Sequence, residues 1–142
     1  MDCNPSLVNV ILWNNAASSG GAEIYNSSAS SVITSSLVQG GITGTRIYNI
    51  GGGSVTDGGG NIDGDPLFTR DPDPGDGDWT TLADNDYGDL RLTHGSPAID
   101  AGMNSFVTLP TDLDGNPRIF NDIVDLGAYE FMVRVFLPVV MR

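Results

Sequence analysis

The most regular feature of the hydrophobic and polar pattern is a pair of short apolar segments that occurs twice near the N-terminus. Ser6–Asn14 aligns with Ser31–Gln39 at a distance of 25 residues, and Glu23–Asn26 aligns with Arg46–Asn49 at a distance of 23 residues. These segments have the length and composition of strands, and no convincing helical periodicity accompanies them. Repeats with a period in the twenties indicate stacked supersecondary units that share one core.

The repeat predicts an all-β parallel β-helix, or solenoid, of about three coils. Equivalent residues of successive coils would then lie about 4.8 Å apart, the ordinary spacing between strands. The predicted columns are Leu12 with Leu37 and Ile62, Ile24 with Ile47, Tyr25 with Tyr48, Asn26 with Asn49, and Glu23 with Arg46. The last of these columns places opposite charges on adjacent coils, and we expect the two to satisfy each other.

The pattern divides the chain into three parts. Residues 1–68 are predicted to form the coils, residues 69–89 an acidic loop, and residues 90–142 a loop-rich C-terminal cap that ends in an apolar strand. Short strands are expected at Leu90–Leu92 and Ala98–Asp100. The 19 Gly and 8 Pro residues supply the turns that such a chain needs.

The charge is unusual in kind as well as in sign. The net charge is −12, every basic residue is Arg, and 16 of the 18 acidic residues are Asp. Such a charge argues against nucleic acid or an anionic membrane as a partner. The single Cys3 excludes an intrachain disulfide, and no segment is long enough to span a bilayer. The start resembles no signal peptide and lies inside a repeat, as expected of a mature piece of a longer protein.

The acidic loop is the strongest candidate for a metal site. Clustered carboxylates suit Ca²⁺, and Gly75 and Gly77 allow a tight backbone path around an ion. A solvated acidic loop with Asp-based turns explains the same residues, and both interpretations stay open. A possible second metal site lies at Asp112 and Asp114, where an ordinary Asp-Gly turn is favoured. The candidate calcium ligands are Asp71, Asp73, Asp76, Asp78, Asp84, Asp86 and Asp89.

The sequence gives little support for a catalytic site. Arg91 and Arg118 are expected to pair with nearby Asp residues, and His94 has no partner in its sequence context. We therefore predict no catalytic residue. Exposed aromatic side chains such as Trp79 could nevertheless stack on sugar rings, so a carbohydrate-binding or polysaccharide-cleaving module is the alternative prediction.

A series of motifs in the second half of the chain resembles a known family. The motifs are Gly60–Phe68, Gly88–Leu92, Gly95–Gly102, Asp112–Ile119 and Asp125–Glu130. In this order they resemble the C-terminal region of large secreted bacterial right-handed parallel β-helix proteins of the choice-of-anchor type. The resemblance implies a right-handed β-helix ending and an extracellular or cell-surface location. It carries over no catalytic residue.

The apolar C-terminal run predicts self-association. An uncovered end of a solenoid invites another chain to add to it, and Pro138 favours an edge position for this run. Head-to-tail contacts of this kind produce filaments when they do not close. We therefore predict a non-catalytic, extracellular structural or adhesive module that self-assembles and is stabilised by calcium; a passive spacer stays open as a further interpretation. The predicted assembly residues are Val133, Val135, Phe136, Leu137, Val139 and Val140.

Overall fold

A computed structural model describes residues 4–133 of the chain as an all-β fold with parallel sheets. The only helical element among these residues is one 3₁₀ turn, Asn104–Phe106. Within this part of the chain nothing helical has the length and hydrophobicity needed to cross a bilayer. The strands are β1 (Ser6–Val8), β2 (Ile11–Leu12), β3 (Ile24–Ser27), β4 (Ser30–Thr34), β5 (Leu37–Val38), β6 (Ile47–Ile50), β7 (Ser54–Asp57), β8 (Phe68–Arg70) and β9 (Asp89–Leu92).

The first seven strands form three sheets, and the strands that pair, all in parallel, are three elements apart in the chain. One sheet has the order β1-β4-β7, and the other two are the pairs β2-β5 and β3-β6. We call β1–β3 the first strand set and β4–β6 the second strand set. The third set is incomplete: it consists of β7 and of Ile62, which bridges to Leu37 in parallel.

The register confirms one of the two predicted repeat distances and corrects the other. Ile24 pairs with Ile47 and Tyr25 with Tyr48, 23 residues apart as predicted. The predicted pairing of Leu12 with Leu37 is wrong, because Leu12 pairs with Val38 and it is Ile11 that pairs with Leu37. The physical reason is side-chain direction, since a shift of one residue turns every side chain to the opposite face of a strand.

The core explains which register the chain adopts. Leu37 is fully buried in a cluster with Leu92, Ala98 and Leu126, and both Ile11 and Ile62 pack against that cluster. The actual column is therefore Ile11, Leu37 and Ile62. This column faces the segment that follows β9, which lies against all three strand sets.

Polar ladders accompany the β3–β6 pairing. Asn26 Nδ2 donates to Asn49 Oδ1 at 2.8 Å, and the Tyr25 and Tyr48 rings stack with centroids 5.5 Å apart. The predicted ion pair is also confirmed, because Arg46 Nη2 lies 2.8 Å from Glu23 Oε1. The Glu23 side chain is fully covered while that of Arg46 is about a third exposed. The pair is thus half-buried rather than exposed.

The acidic loop and the C-terminal segment are built mainly from turns. Strands β8 and β9 pair in antiparallel fashion, so the acidic loop is the connection of a hairpin. The strand predicted at Leu90–Leu92 is confirmed as part of β9, whereas the strand predicted at Ala98–Asp100 is wrong, since these residues form turns. Of the predicted assembly residues, only Val133 is described, and it is exposed; Val135, Phe136, Leu137, Val139 and Val140 lie outside the described residues.

Candidate functional site: the acidic loop and a buried carboxylate cluster

Three carboxylates of the acidic loop cap the backbone of their own loop. Asp73, Asp76 and Asp78 each accept a hydrogen bond, at 2.8–2.9 Å, from the backbone N–H two residues further on. Hydrogen bonds from the Thr80 backbone and hydroxyl hold the pKa of Asp78 below its usual value. Gly75 and Gly77 adopt φ values of +69° and +85°, as the tight path requires. These contacts are the Asp-based turns of the second interpretation.

The later carboxylates of the loop bind arginines or a backbone N–H in the first half of the loop. Asp86 accepts two hydrogen bonds from Arg70, at 2.7 and 3.1 Å, and this contact is the main reason why the pKa of Asp86 is lowered. Asp89 pairs with Arg91 at 2.9 Å. Asp84 accepts a hydrogen bond from the backbone N–H of Asp76 at 3.1 Å. The loop is therefore closed across its base by side-chain contacts.

Calcium binding by the acidic loop stays a prediction. Asp71 is exposed at the start of the loop, and the remaining six candidate ligands have the contacts given above. Across residues 4–133 no group of three or more His, Cys, Asp or Glu side chains is arranged to hold a metal ion. Ion binding would require several of these carboxylates to converge on one point, which they do not do among the described residues.

The second candidate metal pair is divided between two structural tasks. Asp112 is buried and accepts hydrogen bonds from Asp114 N, Asn116 N, Asn116 Nδ2 and Glu130 N, at 2.7–3.1 Å. Burial opposes ionisation of Asp112, but these donors outweigh it and lower its pKa. Asp114 binds Arg91 through both carboxylate oxygens, at 2.6 and 2.7 Å. Asp112 thus stabilises a turn, and Asp114 binds Arg91, which was expected to pair with a nearby Asp.

The most concentrated chemistry of the described chain is a buried cluster, which consists of Asp112, Arg118, Asp125 and Glu130. The three carboxylate residues are each at most 7 % exposed. Arg118 donates to Glu130 Oε1 and to the backbone oxygens of Asp125 and Gly127, the last at 2.7 Å. The expectation that Arg118 pairs with an Asp side chain is wrong, since its carboxylate partner is Glu130. The cluster is joined internally because Glu130 N donates to Asp112 and Asp125 N donates to Glu130.

Burial raises the pKa of two carboxylates in this cluster. It raises the pKa of Glu130 to about 7, against hydrogen bonds from Asp125 N and Phe120 N and the charge of Arg118. It also raises the pKa of Asp125, although Phe131 N and Asp100 N donate to that carboxylate at 2.5 and 2.7 Å. Three carboxylates and one guanidinium, buried together, would leave two uncompensated negative charges if all were ionised.

The sequence contained one signal for this cluster that its motifs did not single out. Glu130 is one of only two Glu residues in the chain, and it lies between apolar side chains near the C-terminus. A long carboxylate in an apolar context indicates a buried, partnered charge. Its partner Arg118 lies 12 residues earlier, beyond any local pattern, so the pairing itself required the fold.

Four of the exposed aromatic residues form two stacked pairs. Tyr25 and Tyr48 stack on each other across β3 and β6, and Trp79 stacks on Tyr87 within the acidic loop, with ring centroids 6.1 Å apart. His94 lies edge-on to Phe131 with the ring centroids 6.3 Å apart. Stacked rings cover one face of each partner, which leaves less aromatic surface for a ligand than two separate rings would.

Comparison of the chain with protein-family models, with curated proteins and with solved structures finds no significant match.

Proposed function

We propose that the chain is a non-catalytic structural or adhesive module of the cell exterior, a short right-handed parallel β-helix of about three coils that assembles end to end. The observation that carries the proposal is the in-register pairing of identical side chains in successive strand sets. The Tyr25 ring stacks on the Tyr48 ring with the centroids 5.5 Å apart, and Asn26 Nδ2 donates to Asn49 Oδ1 at 2.8 Å. A surface built from repeating ladders is suited to accept further copies of the same ladder.

Burial across the three strand sets supports assembly. Ile33, Leu37 and Val38 of the second set are fully buried because a strand set lies on either side of them. The equivalent apolar side chains of the outer sets, Leu7 beside Ile33 and Ile11 and Ile62 beside Leu37, remain partly exposed. Their apolar surface is what a further strand set, or another molecule, would cover.

The exposed edge of β6 gives a direct test of assembly. Ile50 in β6 is 44 % exposed, and a Lys side chain at a strand edge hinders the addition of another strand. We expect Ile50→Lys to reduce polymers seen by electron microscopy and light scattering while the melting temperature of the monomer stays unchanged. Leu82→Lys is the matched control, because Leu82 is 72 % exposed in the acidic loop. Monomers alone from the unmodified chain at high concentration would refute assembly.

Calcium is the cofactor of this proposal. The acidic loop would bind Ca²⁺ through part of its set of seven Asp carboxylates, including the exposed Asp71 near the start of the loop. An ion that binds the native chain raises its melting temperature by mass action. Melting with excess calcium and with a chelator tests this part of the proposal separately from polymer formation.

A carbohydrate-binding module is the second candidate, and the Trp79–Tyr87 pair favours it. These rings are 45 % and 67 % exposed beside several carboxylates, an arrangement that suits stacking against a sugar ring. Binding of soluble polysaccharides by titration calorimetry, lost in Trp79→Ala and kept in Tyr25→Ala, would favour this candidate over assembly. Reducing-sugar release from the same polysaccharides would indicate cleavage as well.

A further inference from the structure

An apolar groove lies beside β2, at the outer side of the first strand set. The groove has a volume of about 340 Å³, and its apolar lining comes from Val10, Ile11, Phe68, Leu90 and Ala128. Ile11 and Phe68 also pack against the buried core cluster, so the groove borders the core. Among residues 4–133, β2 pairs with β5 alone, and β5 contributes nothing to the groove. The groove therefore presents apolar surface that a further segment could remove from water.

The backbone of β2 can accept one more strand at this groove. The carbonyl oxygens of Val10 and Leu12 accept hydrogen bonds from Leu37 N and Gln39 N, at 2.9 and 3.0 Å, and so face β5. Backbone groups alternate in direction along a strand, which places those of Ile11 on the side away from β5. An extended segment that binds the N–H and the carbonyl oxygen of Ile11 would extend this sheet by one strand.

We propose that residues 134–142 of the same chain cover the groove, as an antiparallel strand added to β2. These residues lie outside the described part of the chain, and the argument for them begins with their sequence. Alternate positions fall on one face of a strand, and here Val135, Leu137, Val139 and Met141 form a wholly apolar face. Arg134 and Arg142 belong to the other face, which would lie toward water.

Pro138 selects the same orientation. Proline has no N–H, so at a sheet edge its backbone must face away from the neighbouring strand. Leu137 and Val139, on either side of it, then direct their backbone groups toward β2. In an antiparallel pair, a residue that exchanges both hydrogen bonds with Ile11 has its side chain on the same face as Ile11. The apolar face of the segment thus meets the groove.

The groove is within reach of this segment in its own chain. Met132 and Leu92 line one cavity, and Leu90, two residues before Leu92 in β9, lines the apolar groove. Two residues of a strand span about 7 Å, whereas nine extended residues span about 30 Å. A segment tethered this closely has an effective concentration in the millimolar range, so it occupies the groove before a second copy does.

The distribution of charge favours the same contact. Residues 134–142 contain two Arg and no acidic residue, whereas the rest of the chain contains four Arg and 18 acidic residues, a formal charge of −14. The field of so acidic a body attracts a basic segment. Apolar burial then decides where on the body the segment lies.

The covered groove has one consequence that rests on the proposed function. A strand edge that is already paired cannot accept a strand from another molecule. Residues 134–142 would therefore restrain end-to-end growth at the first strand set, and their removal should increase polymer formation. The docking itself depends neither on assembly nor on calcium.

Hydrogen exchange of the Ile11 amide, followed by NMR, tests the docking. We expect this amide to exchange at least tenfold faster in a chain that ends at Val133 than in the full chain. The Leu37 amide, which is bonded to Val10 O inside the sheet, is the internal control and should be unaffected. Equal exchange of Ile11 in the two chains would overturn the proposal.

Two point variants test the orientation without shortening the chain. Val139→Lys places a charge on the apolar face and should accelerate Ile11 exchange, whereas Val140→Lys, the same substitution on the opposite face, should leave it unchanged. A larger effect of Val140→Lys than of Val139→Lys would contradict the pairing.

Protein concentration distinguishes docking within one chain from docking between copies. Slow exchange of Ile11 that is constant from about 10 μM to about 0.5 mM supports the contact within one chain. Protection that increases with concentration would assign the segment to a neighbouring copy and overturn the proposal. Light scattering on the same samples addresses assembly: more polymer in the shortened chain supports the restraint, and less polymer would refute it. Polymers from neither chain would refute the proposed function, while the Ile11 amide still decides the docking.

Discussion

The register of the first strand set can be tested with a double-mutant cycle. Because Ile11, and not Leu12, pairs with Leu37, removal of the Leu37 side chain should alter the effect of a substitution at position 11 but not at position 12. Leu37 is fully buried in the core, so Leu37→Ala alone should lower the free energy of unfolding by about 2–5 kcal/mol. Side chains in contact couple by about 0.5–3 kcal/mol, whereas separate ones are additive within about 0.5 kcal/mol.

The measurement is equilibrium unfolding in urea, followed by circular dichroism, for the unmodified chain, three single variants and two double variants. We expect Ile11→Ala and Leu37→Ala to be less than additive, because the second substitution removes contacts that the first has already lost. Leu12→Ala is the matched control, since Leu12 lies on the neighbouring position and pairs with Val38. Stronger coupling of Leu12 than of Ile11 to Leu37 would refute the register.

Three further predictions concern polar contacts. Asn26→Ala should lower the free energy of unfolding by about 1–3 kcal/mol, because Asn26 is buried and hydrogen-bonded to Asn49. Asn49→Ala, at the exposed end of that ladder, should lower it by less than about 1 kcal/mol in the same urea assay. Arg46→Met should destabilise the chain by about 1–3 kcal/mol, since it removes the cation beside the covered Glu23 carboxylate, which keeps only a hydrogen bond from Asn15 Nδ2. Arg46→Met with Glu23→Gln should recover most of that loss. Excess calcium should raise the melting temperature, and an equal temperature in chelator would limit the acidic loop to its turns.

The positions of the strands could be predicted from the sequence where the repeat is strong. The Ile-Tyr-Asn segment that begins at Ile24 recurs at Ile47, and identical side chains on adjacent strands fix one register. The match of Ser6–Asn14 with Ser31–Gln39 was weaker, because apolar residues occupy several consecutive positions in both segments. Such runs align almost as well after a shift of one residue, and burial of Leu37 against the C-terminal segment decided between the two.

The buried cluster could not be predicted from the sequence, because it depends on contacts that no local pattern contains. The short-range partners of the Asp residues could be predicted, because an Asp side chain commonly caps the backbone two residues further on. The contact between Asn9 and Gly127 joins residues far apart in the chain, and Arg118 pairs with Glu130 across 12 residues that form no strand or helix.

By itself, then, the sequence determined the all-β class, the parallel repeat and the β3–β6 ladder. All of these follow from local composition and from periodicity. Only the tertiary structure decided which apolar residues share the core column with Leu37 and which carboxylates are removed from water. Burial and desolvation are properties of the packed chain, and the pKa of Glu130 is raised chiefly because the fold removes its carboxylate from water, with the charge of Asp125 as a smaller cause.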